Sequence, residues 1–334
     1  MVAIGGGTGL STILRGLKHY TVAAGEPAPD GEYVSELTAV VTVSDDGGSS
    51  GRLRRELKML PPGDIRNCLV AVSEDENLIS KLFQHRFSSP GDLEGHSFGN
   101  LFLAALTAMT GDFAVAVKKA SEILATRGHI LPATTINVEL EAIMQDGSHV
   151  SGETRITASD KRIRELILVP DHPEPLPQTL QAIAEADIIT LGPGSLFTSL
   201  IPNVLVRGIP EAIAASPAVK IFICNLMTEA NESLHMKASE HIQAIYNHTP
   251  SPIFDYALVN SAPVSAAMKE RYAEEQAEPV ECDCAAIEKL GVKCIAGNFV
   301  EENHFARHAT DRLCREVLQL GRSHRDHSAA QALR

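Results

Sequence analysis

Residues able to do chemistry gather in a few short stretches. The first is the glycine cluster Gly5, Gly6, Gly7 and Gly9, which follows the apolar run Val2 to Ile4 and precedes Leu10, Ile13, Leu14 and Leu17. Those last four fall at i, i+3, i+4 and i+7, the stripe of an amphipathic helix. Strand, glycine turn and helix in that order aim free amides and a positive dipole end at one spot, where a phosphate fits. Gly5 and Gly7 match the first two positions of the dinucleotide fingerprint G-x-G-x-x-G, but Leu10 stands at the third. No Walker A lysine follows either. The stretch Gly5, Gly6, Gly7, Thr8, Gly9, Leu10 thus points to a phosphate-bearing ligand other than ordinary NAD. A tight turn without a ligand is the plain alternative.

Three further clusters share the position of the first, at the end of a buried-looking strand: Asp45 to Ser50, Gly192-Pro193-Gly194-Ser195, and Asn225 to Thr228. In a doubly wound sheet, ligands sit outside the carboxyl ends of the strands, so such clusters meet in one crevice. Asp45 and Asp46 can accept from a ribose hydroxyl, hold a divalent cation (Asp45 as the metal ligand, with Mg2+ the fitting ion), or cap the next helix. Arg52, Arg54, Arg55, Lys58 and Arg66 crowd together just beyond, with Ser49 and Asn67 beside them. They form either a bidentate phosphate clamp or a solvated helix face. His96, next to Ser97 and Asn100, is a candidate acid or base, a phosphate donor, or a packing histidine. Asp45 and His96 are therefore the candidates for catalysis. No G-x-S-x-G elbow is present, which argues against covalent hydrolysis.

Composition narrows the class. The 334 residues can bury a large core, and a formal charge of −13 disfavours a general nucleic-acid binder. No segment approaches the length of a membrane span. The glycine turn begins so close to Met1 that a signal peptide is not expected, and a cytoplasmic location is. The six cysteines show no C-x-x-C and no zinc spacing, so incidental thiols are expected.

The elements that must position these groups follow an α/β alternation. The expected fold is a Rossmann-like, doubly wound, mostly parallel sheet forming one domain over residues 1–320. A loop is expected at 23–36, and a small antiparallel β insert at about 128–170, signalled by the alternation around Ile136 to Leu140 and by the turn Asp146-Gly147. Short strands are expected at 150–156 and 163–169, and a core-buried helix at 101–109. The last strand is expected at 292–296 and the last helix at 307–320, with 321–334 a polar, frayed tail.

The segments VAIGGGTGLSTILRGLK, AVVTVSDDGGSSGRLRRELKMLPPGDIRNCLVAV, GHSFGNLFLAALT, LGPGSLFTSLIPN and KIFICNLMTE closely resemble the YvcK proteins. These are bacterial gluconeogenesis factors within the superfamily of CofD, the 2-phospho-L-lactate transferase. The resemblance implies a cytoplasmic Rossmann-like protein that binds UDP-N-acetylglucosamine and supports cell shape and cell-wall synthesis during gluconeogenic growth. Its CofD side implies metal-dependent transfer of a phospholactyl group from a nucleotide-diphosphate donor. Carried over, Gly5 to Leu10 cradle the diphosphate, Asp45 faces a metal, and Gly192 to Ser195 line the nucleotide. The family's late tyrosine and arginine correspond most nearly to Tyr272 and Arg307. A homodimer suits such folds, and the regulatory protein partners remain open.

Overall fold

The computed structural model describes residues 1–22, 33–74 and 78–332. The larger part of the loop expected at 23–36 lies outside these residues. The chain builds a seven-stranded sheet from β1 (Val2–Gly5), β2 (Thr38–Val41), β3 (His129–Pro132), β7 (Ile188–Leu191), β8 (Val219–Ile223), β9 (Tyr256–Asn260) and β10 (Lys293–Gly297). The strand order is β10-β9-β8-β7-β1-β2-β3, and every pairing is parallel. Every residue of β1, β2 and β7 is buried, as their continuous apolar runs require when helices cover both faces. From β1 the chain winds first to β2 and β3 and later, on the other side, to β7 through β10, so the direction reverses between β1 and β7. That reversal is where this fold opens a ligand crevice.

The helices of the first half are α1 (Gly7–Leu17), α2 (Gly48–Leu57), α3 (Gly63–Val72), α4 (Leu78–Gln84), α5 (Phe98–Thr110) and α6 (Phe113–Ile123), of which α1 and α3 reach the crevice. The antiparallel insert is real but starts later than expected. It comprises β4 (Glu139–Met144), β5 (His149–Ser151) and β6 (Ile163–Val169), whereas residues 129–132 pair with β2 as the edge of the main sheet. Asp146-Gly147 makes the expected turn, with Gly147 at φ +82° and the Asp146 carboxylate accepting from the Ser148 amide. Residues 150–156 do not stay extended, because after β5 the chain coils into α7 (Glu153–Thr157).

The helix expected to be wholly core is α5, and it is not. Gly99, Asn100, Leu103 and Ala104 are its buried residues, while Met109 is 81% exposed. Only one side of α5 meets the core, where Phe98 and Phe102 pack edge-on against Phe83.

Downstream come α8 (Pro177–Glu185), α9 (Ile201–Val204), α10 (Ile209–Ala215), α11 (Ala238–Tyr246), α12 (Ala266–Glu274) and α13 (Cys284–Lys289). A hairpin of β11 (Val300–Glu302) and β12 (Ala306–His308) follows β10, so 292–296 is not the last strand. The final helix, α14 (Thr310–Ala332), runs through most of the stretch read as a frayed tail. Leu318 and Leu320 bury its inner face, and a Cβ on Gly321 would collide with Ile188, so the missing side chain admits the helix against β7. The polar residues of this stretch are largely its solvated outer face. No described helix is long and apolar enough to cross a membrane.

Candidate nucleotide cleft

The crevice between the ends of β1 and β7 is a cleft of about 630 Å³. Its floor is the turn from β1 into α1. Gly6 caps α1 with extended backbone and no side-chain cap of its own; Asp64 takes the Gly7 amide, leaving those of Thr8 and Gly9 for another acceptor. Gly7 sits at φ +61°, a left-handed geometry that favours glycine. A Cβ on Gly9 would run into the Pro193 carbonyl and lie 2.8 Å from the Gly194 Cα, so the two glycine turns touch directly. Asn225 fixes the second turn by accepting from the Gly194 amide at 3.0 Å and donating to the Gly194 carbonyl at 2.8 Å.

Of the residues singled out from sequence, Gly6, Gly7, Thr8, Gly9, Pro193, Gly194, Ser195, Asn225, Thr228, Tyr272 and Arg307 all line this cleft. Thr228 is also structural, accepting from the Glu278 amide at 3.0 Å. Gly5 belongs to the sheet, and Leu10 is fully buried in the core, so neither they nor Gly192 face the cleft. Arg307 lies on β12 rather than on the final helix, and the hairpin carries it over the cleft. The Tyr272 hydroxyl reaches the carbonyl of neighbouring Ala306 at 3.5 Å, and desolvation raises its pKa. His308 donates from Nε2 to the Cys224 carbonyl at 3.1 Å, and burial holds its pKa at about 4, so the ring is neutral at pH 7.

The arginine cluster, read as a phosphate clamp or a solvated helix face, does not line the cleft. Arg52 donates to the Glu94 carbonyl and Arg54 to the Val138 carbonyl. Arg66 donates to Ser97 Oγ at 2.6 Å, Asn100 Oδ1 at 2.9 Å and Asn67 Oδ1 at 2.8 Å. Arg54, Arg55 and Lys58 line a separate hollow with Asp46 and Glu139. His96 belongs to the Arg66 network. Its Nδ1 lies 3.0 Å from Ser49 Oγ, which also accepts from Asn100 Nδ2 at 3.1 Å. Burial lowers its pKa, with Arg52 adding to the effect. Ser49, Arg52, Arg66, Asn67, His96 and Asn100 thus form a wall behind the cleft and do not line it.

The acids are partitioned in the same way. Asp46 caps α7, its Oδ1 accepting from the Thr154 amide at 2.9 Å and the Thr154 hydroxyl at 2.6 Å. That cap holds the insert helix whose first residue, Glu153, enters the cleft. Asp45 accepts from the Gly47 amide at 2.8 Å and stands behind Asp64, which lines the cleft itself. Burial and the neighbouring Asp45 charge raise Asp64 to about 6, against a bond from the Gly7 amide that lowers it. Burial, then Asp45 and Asp64, raise Glu153 to about 9. Burial and Glu229 likewise raise Glu232 to about 7, while it accepts from the Thr198 hydroxyl at 3.0 Å and the Phe197 amide at 3.2 Å. Asp64, Glu153 and Glu229 are lining residues that the sequence reading missed. Asp64 follows Pro61-Pro-Gly directly, a turn-and-helix-start signal that carries no sign of a ligand.

A glycine-lined α1 terminus, a second glycine turn touching it and a rim of enclosed carboxylates meet at the switch point of a doubly wound, Rossmann-like sheet. The family described as 2-phospho-L-lactate transferase CofD matches residues 1–300. A gluconeogenesis factor from Bacillus subtilis is 46% identical over 317 residues, covering 95% of this chain and 96% of its own. One from Halalkalibacterium halodurans is 47% identical, covering 96% and 95%. The crystal structure of a Bacillus halodurans protein superposes with a TM-score of 0.89 at 47% identity, over 95% of this chain and 98% of that one. The chain belongs to the gluconeogenesis factor branch of the CofD family.

Proposed function

We propose that the cleft binds a nucleotide-diphosphate sugar of the UDP-N-acetylglucosamine kind. The diphosphate would rest on the first-turn amides of Thr8 and Gly9, beside the Gly7 amide that Asp64 holds, with Arg307 and Tyr272 closing over the nucleotide sugar. The observation that carries this reading is the glycine-lined start of α1, with no side-chain cap from Gly6, facing a cleft whose cation comes from the β11–β12 hairpin. Asp64 beside that start, mainly ionised at pH 7, would repel a bare diphosphate, which favours an accompanying divalent cation. Mg2+ is usually held by one or two carboxylates plus phosphate oxygens and water, which suits hard oxygen donors at a phosphate site. Asp64, backed by Asp45, and Glu153 would hold it. In this role the protein would act in the cytoplasm, sensing a nucleotide sugar to support cell shape and wall synthesis during gluconeogenic growth.

A second reading, transfer of a phosphorus group from a nucleotide-diphosphate donor, is favoured by Glu153. A carboxyl with a pKa of about 9 is a proton donor at neutral pH. Calorimetry with UDP-N-acetylglucosamine, UDP, GDP and NAD, each with and without Mg2+, tests both. Micromolar or tighter binding of the UDP sugar supports the first reading. Preference for GDP with turnover of a phospholactyl donor would replace it with the second.

A further inference from the structure

Cysteines separated in sequence meet outside the cleft. Cys282 ends a segment that pairs its backbone with Leu226, Thr228 and Ala238, Cys284 opens α13, and Cys294 lies in β10. All three are half-buried, and their sulfur atoms lie within 4.8 Å of one another. Cys284 and Cys294 are joined as a disulfide, with Cα atoms 5.3 Å apart, and the free Cys282 sulfur is 3.6 Å from that of Cys284. Cys284 and Cys294 thus depart from the expectation of incidental thiols, while Cys68, Cys224 and Cys314 are free and buried in keeping with it. Asp283, between two of them, is tied to α11 by accepting from the Ser239 amide at 2.9 Å and the Ser239 hydroxyl at 2.5 Å, so the backbone carrying the pair is fixed.

We propose that Cys282, Cys284 and Cys294 form a thiolate site for a soft divalent cation, Zn2+ in the first instance, which the Cys284–Cys294 bond closes and reduction opens. Tetrahedral zinc with Zn–S distances near 2.3 Å sets neighbouring sulfurs about 3.8 Å apart, close to the Cys282–Cys284 spacing. Among the described residues no other histidine, cysteine or carboxylate group of three converges this closely. Thiolates also select zinc over Mg2+, which separates this site chemically from the carboxylates of the cleft. The opening step is a two-electron reduction by a dithiol. The S–S bond breaks, each sulfur takes up an electron and a proton, and the dithiol closes to its own disulfide. Zn2+ then displaces the thiol protons, and water completes a fourth position.

The test uses the full chain, reduced with a dithiol, freed of it under argon, and titrated with Co2+ alone and then Zn2+ alone. The expected result is one equivalent of Co2+ with a sulfur-to-metal charge-transfer band and tetrahedral visible bands, displaced by Zn2+. The oxidised protein should lack the band. Cys282→Ser and Cys294→Ser should each weaken binding at least about a hundredfold, while Cys68→Ser leaves it intact. Circular dichroism checks each fold, and Cys282→Ser, outside the bonded pair, carries the test if Cys294→Ser is unstable. Absence of the band in the reduced protein, or its persistence in Cys282→Ser, overturns the proposal.

Discussion

Asp64 offers the sharpest physical test, because replacing it should strengthen the fold while weakening the site. Its carboxyl rises from an ordinary 3.8 to about 6 through burial and the Asp45 charge. A group whose folded pKa is raised gives stability that is complete below the unfolded pKa and is lost as pH climbs through the folded one. The wild type should therefore lose roughly 3 kcal/mol from this group between pH 3 and pH 8, about half of it by pH 5. That figure is an upper bound, since Asp64 is half-buried and cleft water screens it. Asp64→Asn keeps an acceptor for the Gly7 amide and places its own amide protons toward Asp45, imitating the protonated acid. In urea unfolding of the ligand-free protein it should gain roughly 1 to 3 kcal/mol at pH 8 and clearly less at pH 5. Under the proposed function, the same variant should lose the Mg2+ enhancement of nucleotide-sugar binding. A loss of stability at pH 8, or a gain that does not depend on pH, would refute the assignment of Asp64 as an enclosed, charge-crowded acid.

Arg307→Ala should weaken UDP-sugar binding by tenfold to a hundredfold in calorimetry, the worth of one charge-assisted contact, with little change in melting temperature because Arg307 is exposed. Gly9→Ala should destabilise by roughly 1 to 3 kcal/mol in urea and abolish binding, since its methyl must displace the Pro193–Gly194 turn. Asp46→Ala should cost about 1 kcal/mol through the lost α7 cap and should weaken binding only secondarily, by loosening Glu153. Without metal, affinity for the anionic ligand should rise as pH falls from 8 toward 6, because Asp64 and Glu232 take up protons there. Isothermal titrations at both pH values, repeated with Mg2+, should show that dependence flatten when the cation is present.

The sheet and its central glycine turns were legible because each rests on local signals. Buried strands run apolar without alternation, and a glycine cluster between strand and helix has few other uses. The line between cleft and wall was not legible, because it depends on which way a helix turns its side chains. Arg52, Arg54 and Arg66 have the composition of a phosphate clamp, yet each spends its donors on carbonyls or amides of the surrounding protein. Arg307 stands alone in sequence and faces the cleft only because the β11–β12 hairpin brings it back across the strand ends. Glu153 was hidden for a related reason. Its segment alternates like a strand, but Asp46 supplies the first turn of α7 with the cap that its own neighbourhood lacks.

That cap joins two readings that had looked like alternatives. Asp46 satisfies a helix terminus, which seems purely structural, but the helix it fixes delivers Glu153 to the carboxylates around the α1 start. The paired acids at 45 and 46 thus divide one task. Asp45 crowds Asp64 and raises its pKa, while Asp46 holds in place the residue that completes the acidic rim. Such crowding is costly in a ligand-free fold and is relieved by protons or by a cation. Under the proposed function, the cleft should therefore take a phosphate ligand arriving with its counter-ion in preference to the bare anion.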